Sequence, residues 1–190
     1  MLQTYLWELH ISEVNCSKRK GARSVMNPPA KLSALILTLD MPLEEFRTYF
    51  DRRTGDFVSV EETMLSQLED GGEADPDDLA EWRKEEYEIA REIIGDDGSR
   101  FIPPPDKFEF HEYRVMERFI HSLSDDQAAD ELWYAIKGRG AFHHFKDALH
   151  RLGIQQSWYD YLEEAQVEFV VEWAKENNVA FEDDLPKRKK

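Results

Sequence analysis

His143, Asp147 and His150 stand at positions i, i+4 and i+7 of one segment, AFHHFKDALHRL. On a helix that spacing puts all three on one face. Two imidazoles and a carboxylate are a ligand set that zinc or iron accepts. The segment is not an HExxH motif, however, and no further ligand is marked downstream. The plainer reading of this face is a wet polar stripe opposite phenylalanines. The three residues therefore stand as the metal candidates of a third-ranked, metal-dependent enzymatic reading.

The same region suggests anion binding. Gly138-Arg139-Gly140 leads into an expected helix start, where unpaired amides carry a partial positive charge. Lys137, Arg139 and Lys146 could add charge-assisted contacts. The glycines follow neither the phosphate-loop nor the dinucleotide pattern, so no cofactor is implied. The tract RGAFHHF also echoes an RNA-recognition string. It lacks one aromatic position, and its phenylalanines fit a helical stripe better than a base-stacking strand. Residues 137–151 still carry four Lys or Arg against Asp147, a local 4 − 1 = +3. Nucleotide or nucleic-acid binding is the second reading, with Lys137, Gly138, Arg139, Gly140 and Lys146 as its candidate residues. A tight helix–helix turn, with glycines chosen for backbone freedom, is the competing structural explanation.

Two aromatic pairs, Trp133-Tyr134 and Trp158-Tyr159, place neighbouring rings on different helix faces. One ring of each pair can fill a core while the other anchors an interface. Tyr134 and Tyr159 are the interface candidates. Nucleophilic catalysis has little to build on, since there is no GxSxG and Cys16 is the only cysteine.

Charge decides between these readings. The chain has 190 residues and a formal net charge of −16. Such a surface repels phosphate and anionic lipid and favours basic partners. Residues 61–100 hold fifteen acids and four bases, a net 4 − 15 = −11. No apolar run is long enough to span a membrane, and a lone cysteine suits a reducing compartment. A cytoplasmic protein with no membrane role is expected.

The elements that must position these residues follow from periodicity. Residues 1–30 end in Asn27-Pro28-Pro29 and read as a flexible arm, 31–180 as one domain, and 181–190 as a charged tail. LSALILTLD fits helix or strand. Asp40 and Pro42 suit a helix start, with Leu43, Phe46 and Tyr49 near helical spacing. YFDRRTGDFVSV predicts a hairpin, with Gly55 at positive φ in its turn. A helix is expected over 61–68, and another after the cap Asp75-Pro76 with Leu79, Trp82, Ile89 and Ile93 as its stripe. RFIPPP reads as a short extended segment. A helix from about Glu109 carries Tyr113, Met116, Phe119, Ile120 and Leu123. The next begins at a Ser124–Gln127 capping box and carries Ala128, Leu132, Trp133 and Ile136, with Gly138 ending it. A third runs from Ala141 to Leu152, with Phe142, Phe145, Leu149 and Leu152 inward and Gly153 after it. Ser157 caps the last, which carries Trp158, Tyr161, Leu162, Ala165, Phe169 and Trp173. The sum is an α+β fold, mainly helical, with a small N-terminal β-hairpin and a C-terminal half of packed amphipathic helices.

EYRVMERFI, ELWYAIKGRGAFHHFKDAL and GIQQSWYDYLEEA occur in that order, after YFDRRTGDFVSV and RFIPPP. In this the chain resembles uncharacterised protein family 158, a bacterial family with no assigned activity, over about residues 32–179. His143-His144 stands where arginines are expected in many members. The resemblance implies an α+β domain and supplies no catalytic residues. The first reading is therefore a non-enzymatic, bacterial, cytoplasmic interaction or regulatory domain. Its acidic surface would meet a basic protein partner.

Overall fold

A computed structural model describes residues 27–39, 45–72 and 79–186. The fold is α+β and mainly helical. The expected hairpin is present. Strand β2 (Phe46–Asp51) pairs antiparallel with β3 (Asp56–Glu61), with Phe46 opposite Glu61 and Asp51 opposite Asp56. β4 (Phe101–Ile102) joins the other edge of β2, giving the order β3-β2-β4. Gly55 closes the turn at φ +78, and an added Cβ would lie 2.8 Å from the Cβ of Pro28. Only glycine allows both that backbone and that approach.

Phe46 and Tyr49, whose spacing suggested a helix, lie in β2 instead. Cross-strand pairing to β3 wins over a three-residue coincidence, and it directs Phe50 into the core. Asp40, Pro42 and Leu43 lie outside the described residues.

β1 (Ala30–Lys31) pairs in parallel with β5 (Phe181–Glu182). The Ser33 amide and hydroxyl donate to Asp184 at 3.0 and 2.5 Å. Residue 30, assigned from sequence to the arm, thus pairs with Phe181 of the assigned tail, and Asp184 of that tail is bonded to Ser33 of the domain. α1 (Leu32–Thr38) resolves the ambiguous apolar run as helix. α2 (Glu62–Glu69) and α3 (Glu81–Ile94) bury Leu65, Tyr87 and Ala90 with Val60 and Phe101 of the sheet. α3 begins at Glu81, and the Asp75-Pro76 start lies outside the described residues.

Four helices make the C-terminal half: α4 (Glu112–Ser122), α5 (Asp126–Ala135), α6 (Ala141–Leu152) and α7 (Gln155–Glu176). Phe119, Phe145 and Trp158 meet edge to face, with centroids 4.9 to 6.4 Å apart. Met116, Ile120, Leu132, Ile136 and Leu149 pack around them. Full burial of such apolar side chains stabilises the fold by about 1.5–3 kcal/mol each.

Local details differ from the sequence reading. Asp125, not Ser124, caps α5, accepting from the amides of Gln127 and Ala128. Its carboxylate is better placed one residue nearer the helix. Ser157 lies inside α7, which starts two residues earlier because Ile154 packs into the helical core. α4 starts at Glu112. Its inward face uses Val115, while Tyr113 turns outward and donates from its hydroxyl to the Ile136 carbonyl at 3.2 Å. Phe142 is 45% exposed rather than inward. The buried face of α6 is Ala141, Phe145, Ala148 and Leu149, and its small residues admit neighbouring helices that Phe142 would block.

α7 ties the two halves together. Trp158 and Ala165 belong to the helical core, whereas Val170 and Ala174 pack with Leu32, Leu35, Phe50 and Ile102. Among the described residues no helix is long and apolar enough to cross a membrane.

Candidate functional site

Ionisable groups displaced from their ordinary values hold the fold together. Burial alone pushes the Asp51 carboxyl up. Two bonds from Arg100, at 2.8 and 2.7 Å, and one from the Arg53 amide overrule it and hold Asp51 below the usual carboxylate range. The bonds to Asp51, with a further one of 2.8 Å to Glu92, push the ionisation of Arg100 up against the opposing effect of burial. Asp96 is likewise pushed up by burial and brought below its ordinary value by the amides of Phe101, Arg100 and Gly98. These contacts clamp β4 and the turn before it to β2.

Much of the acid of residues 61–100 is spent the same way. Arg47 bridges Glu62 and Glu69, Arg83 pairs with Glu61, Lys84 with Glu81, and Arg91 with Glu88. Glu92 serves both Arg53 and Arg100. Residues 61–100 are thus laced by ion pairs, while Glu69, Asp70, Glu81, Glu85, Glu88, Glu92 and Asp97 remain exposed.

The acidic face with the most regular spacing is on α7. Asp160, Glu164, Glu168, Glu172 and Glu176 recur at every fourth residue, and all are exposed. At 1.5 Å per residue the row is about 24 Å long. Asp160 accepts from Gln156 at 2.8 Å. Glu168, Glu172 and Glu176 pair with no cation among the described residues. A count of acids by segment missed this row, but a count by helix face finds it.

Glu168 and Glu172 form one rim of a groove of about 640 Å³ between α4 and α7. Phe110 and Phe169, 5.5 Å apart, lie in its lining with Trp133. Trp133 meets His121 edge to face at 5.1 Å. The α4 side presents His111, Arg114, Arg118 and His121, at i, i+3, i+7 and i+10. Neither arginine pairs with a carboxylate among the described residues. Glu117 interrupts that row. The groove thus has apolar rings within it, an acidic rim on α7 and a mainly cationic rim on α4.

The sequence-predicted residues cluster elsewhere. Lys137, Gly138, Arg139 and Gly140 form the α5–α6 turn and are all exposed. Gly138 and Gly140 have φ of +86 and +84. Lys137 and Arg139 line a second groove with Tyr134, while Lys146 does not line it. Tyr134 is 81% exposed and Tyr159 52%, beside a half-buried Trp133 and a fully buried Trp158. Of the metal candidates, His143 meets Asp147 at 3.4 Å. Among the described residues no three His, Cys, Asp or Glu side chains are gathered to hold a metal ion.

The family model of uncharacterised protein family UPF0158 matches residues 73–190. The chain belongs to that family. The UPF0158 match covers α3 through β5, and so both grooves, and it leaves out the hairpin, α1 and α2. No curated protein and no solved structure matches the chain.

Proposed function

We propose that this chain is a non-catalytic interaction or regulatory domain of the bacterial cytoplasm that docks a basic segment of a partner protein along α7. The acid row of α7 carries the reading. Like charges four residues apart on a helix repel, at about 0.2–0.5 kcal/mol per pair. The row contains four such successive pairs, and Glu168, Glu172 and Glu176 pair with no cation among the described residues, while the helix is packed through Trp158, Ala165, Val170 and Ala174 on other faces. A partner presenting lysines or arginines at matching intervals would turn that repulsion into attraction.

The groove beside the row supports the same reading. Phe110, Phe169 and Trp133 offer apolar surface to a segment whose basic edge lies over Glu168 and Glu172. The Arg114–Arg118 rim would set its direction by repelling that edge and accepting acids on the other. An amphipathic helix laid into a groove is the general form of such recognition.

The test is a designed helical peptide with leucines on one face and lysines at every fourth position beside it. It binds the wild-type chain at about 20 mM salt and loses affinity steeply with added salt. The Glu168→Gln/Glu172→Gln variant binds it at least about tenfold more weakly. Absence of binding at low salt, or equal binding by the variant, removes the basis of the reading.

A further inference from the structure

The chain has forty acids and twenty-four bases, and several of its cations are paired with a carboxylate. Arg47, Arg53, Arg83, Lys84, Arg91, Arg100 and Arg151 each have one. Lys137 and Arg139, two residues apart at the α5–α6 turn, have none among the described residues. They flank Gly138, where an added Cβ would meet nothing within 4 Å, so the backbone between them is open to approach. Both line a groove of about 440 Å³. That is far more room than a lone phosphate fills, and within the size of small-molecule sites.

The rest of the lining is specific in kind. Tyr134 leaves 81% of its surface in water at this groove, although its neighbours Leu132 and Ile136 are buried. A large ring so exposed is a platform for stacking a flat ligand. Glu131 is held by Arg151 through bonds of 3.1 and 2.7 Å, so its carboxylate is fixed in place as an acceptor. Asp147 and His144 complete the wall. Two cations without a carboxylate partner, an exposed ring and two carboxylates, one of them held by Arg151, are complementary to a phosphate, a base and hydroxyl or amino donors.

We propose that the α5–α6 groove is a mononucleotide site. Lys137 and Arg139 receive the phosphates, Tyr134 stacks on the base, and Glu131 and Asp147 accept from ribose or base donors. The two carboxylates disfavour a bare polyanion, which has phosphate to offer and nothing to donate. The site is separate from the α4–α7 groove and needs no partner protein.

The test is calorimetric titration of the full chain with ATP, AMP and inorganic pyrophosphate, each to about 5 mM, a range that registers even weak small-molecule binding. ATP is expected to bind. Arg139→Ala weakens it at least about tenfold and Lys137→Ala comparably. Tyr134→Ala weakens ATP and AMP about fivefold or more while leaving pyrophosphate unchanged. All three side chains are exposed, so these variants keep the wild-type melting curve, and Glu168→Gln/Glu172→Gln keeps wild-type ATP affinity. No heat with ATP overturns the proposal. So does pyrophosphate binding as tightly as ATP, ATP binding insensitive to Arg139 and Tyr134, or binding seen with an RNA oligonucleotide alone.

Discussion

Neutralising Glu168 and Glu172 together should stabilise the protein. The change removes three like-charge neighbours, 164/168, 168/172 and 172/176. At about 0.2–0.5 kcal/mol each, the gain is about 0.6–1.5 kcal/mol at low salt. Glutamine has nearly the helix propensity of glutamate, so the backbone contributes little. For a chain of this size the gain corresponds to a rise in Tm of about 1–6 °C. Thermal unfolding followed by circular dichroism at about 10 mM and about 1 M salt separates the cause, since screening at the higher salt suppresses repulsion between exposed groups. The rise should be present at low salt and largely gone at high salt. Glu92→Gln is the control of opposite sign. Glu92 bridges Arg53 and Arg100, so its loss lowers Tm. A double variant that melts at or below the wild-type temperature at low salt, or a rise that persists unchanged in 1 M salt, refutes the account of α7 as a repulsive row. If stability rises while peptide binding falls, the row costs stability for the sake of recognition.

Arg100→Met should be strongly destabilising, by about 2–4 kcal/mol in urea unfolding, because Asp51 is 2% exposed and would keep a buried charge without its main partner. Stability should also be lost in acid with a definite sign. Asp51, Asp96, Glu61 and Asp184 all lie below their ordinary values in the folded chain. Their contribution is present above the ordinary carboxyl values of 3.8 to 4.5 and is lost as pH falls through the lower folded ones. Arg100→Met should weaken that loss, since Asp51 then gives less of it. A pH profile of unfolding identical in the two proteins contradicts the assignment.

The helical half was legible because its signals are local. The αL residues at Gly138 and Gly153, and the spacing of Phe145, Leu149, Trp158 and Ala165, each speak within one or two turns. Phe142 and Tyr113 misled for one physical reason: a stripe of large side chains marks an apolar face, but which edge of it is buried depends on the neighbour. On α6 the neighbours select Ala141 and Ala148 instead. Phe46 and Tyr49 lie in a strand although their spacing matches a turn of helix, because a single three-residue interval is too short to establish a period. The β1–β5 pair joins residues about 150 apart in sequence and has no local mark. The same holds for the candidate sites. The glycine turn at Lys137–Gly140 was legible but its exposure was not, and the α4–α7 groove required knowing that residues 111–121 and 165–172 are neighbours. The charge of residues 61–100 was legible as a sum, whereas the pairing of Glu61 with Arg83, Glu62 with Arg47 and Glu92 with Arg100 required the fold.

The claim that α7 is a docking face for basic segments is tested most directly by zero-length carbodiimide crosslinking of the chain to the lysine peptide at low salt. Each crosslink joins a peptide amine to a carboxylate of the chain, and peptide mapping by mass spectrometry locates it. Crosslinks should concentrate on Asp160, Glu164, Glu168, Glu172 and Glu176 and disappear at high salt. Crosslinks concentrated on residues 61–100, or spread evenly over the acidic surface, would contradict the account.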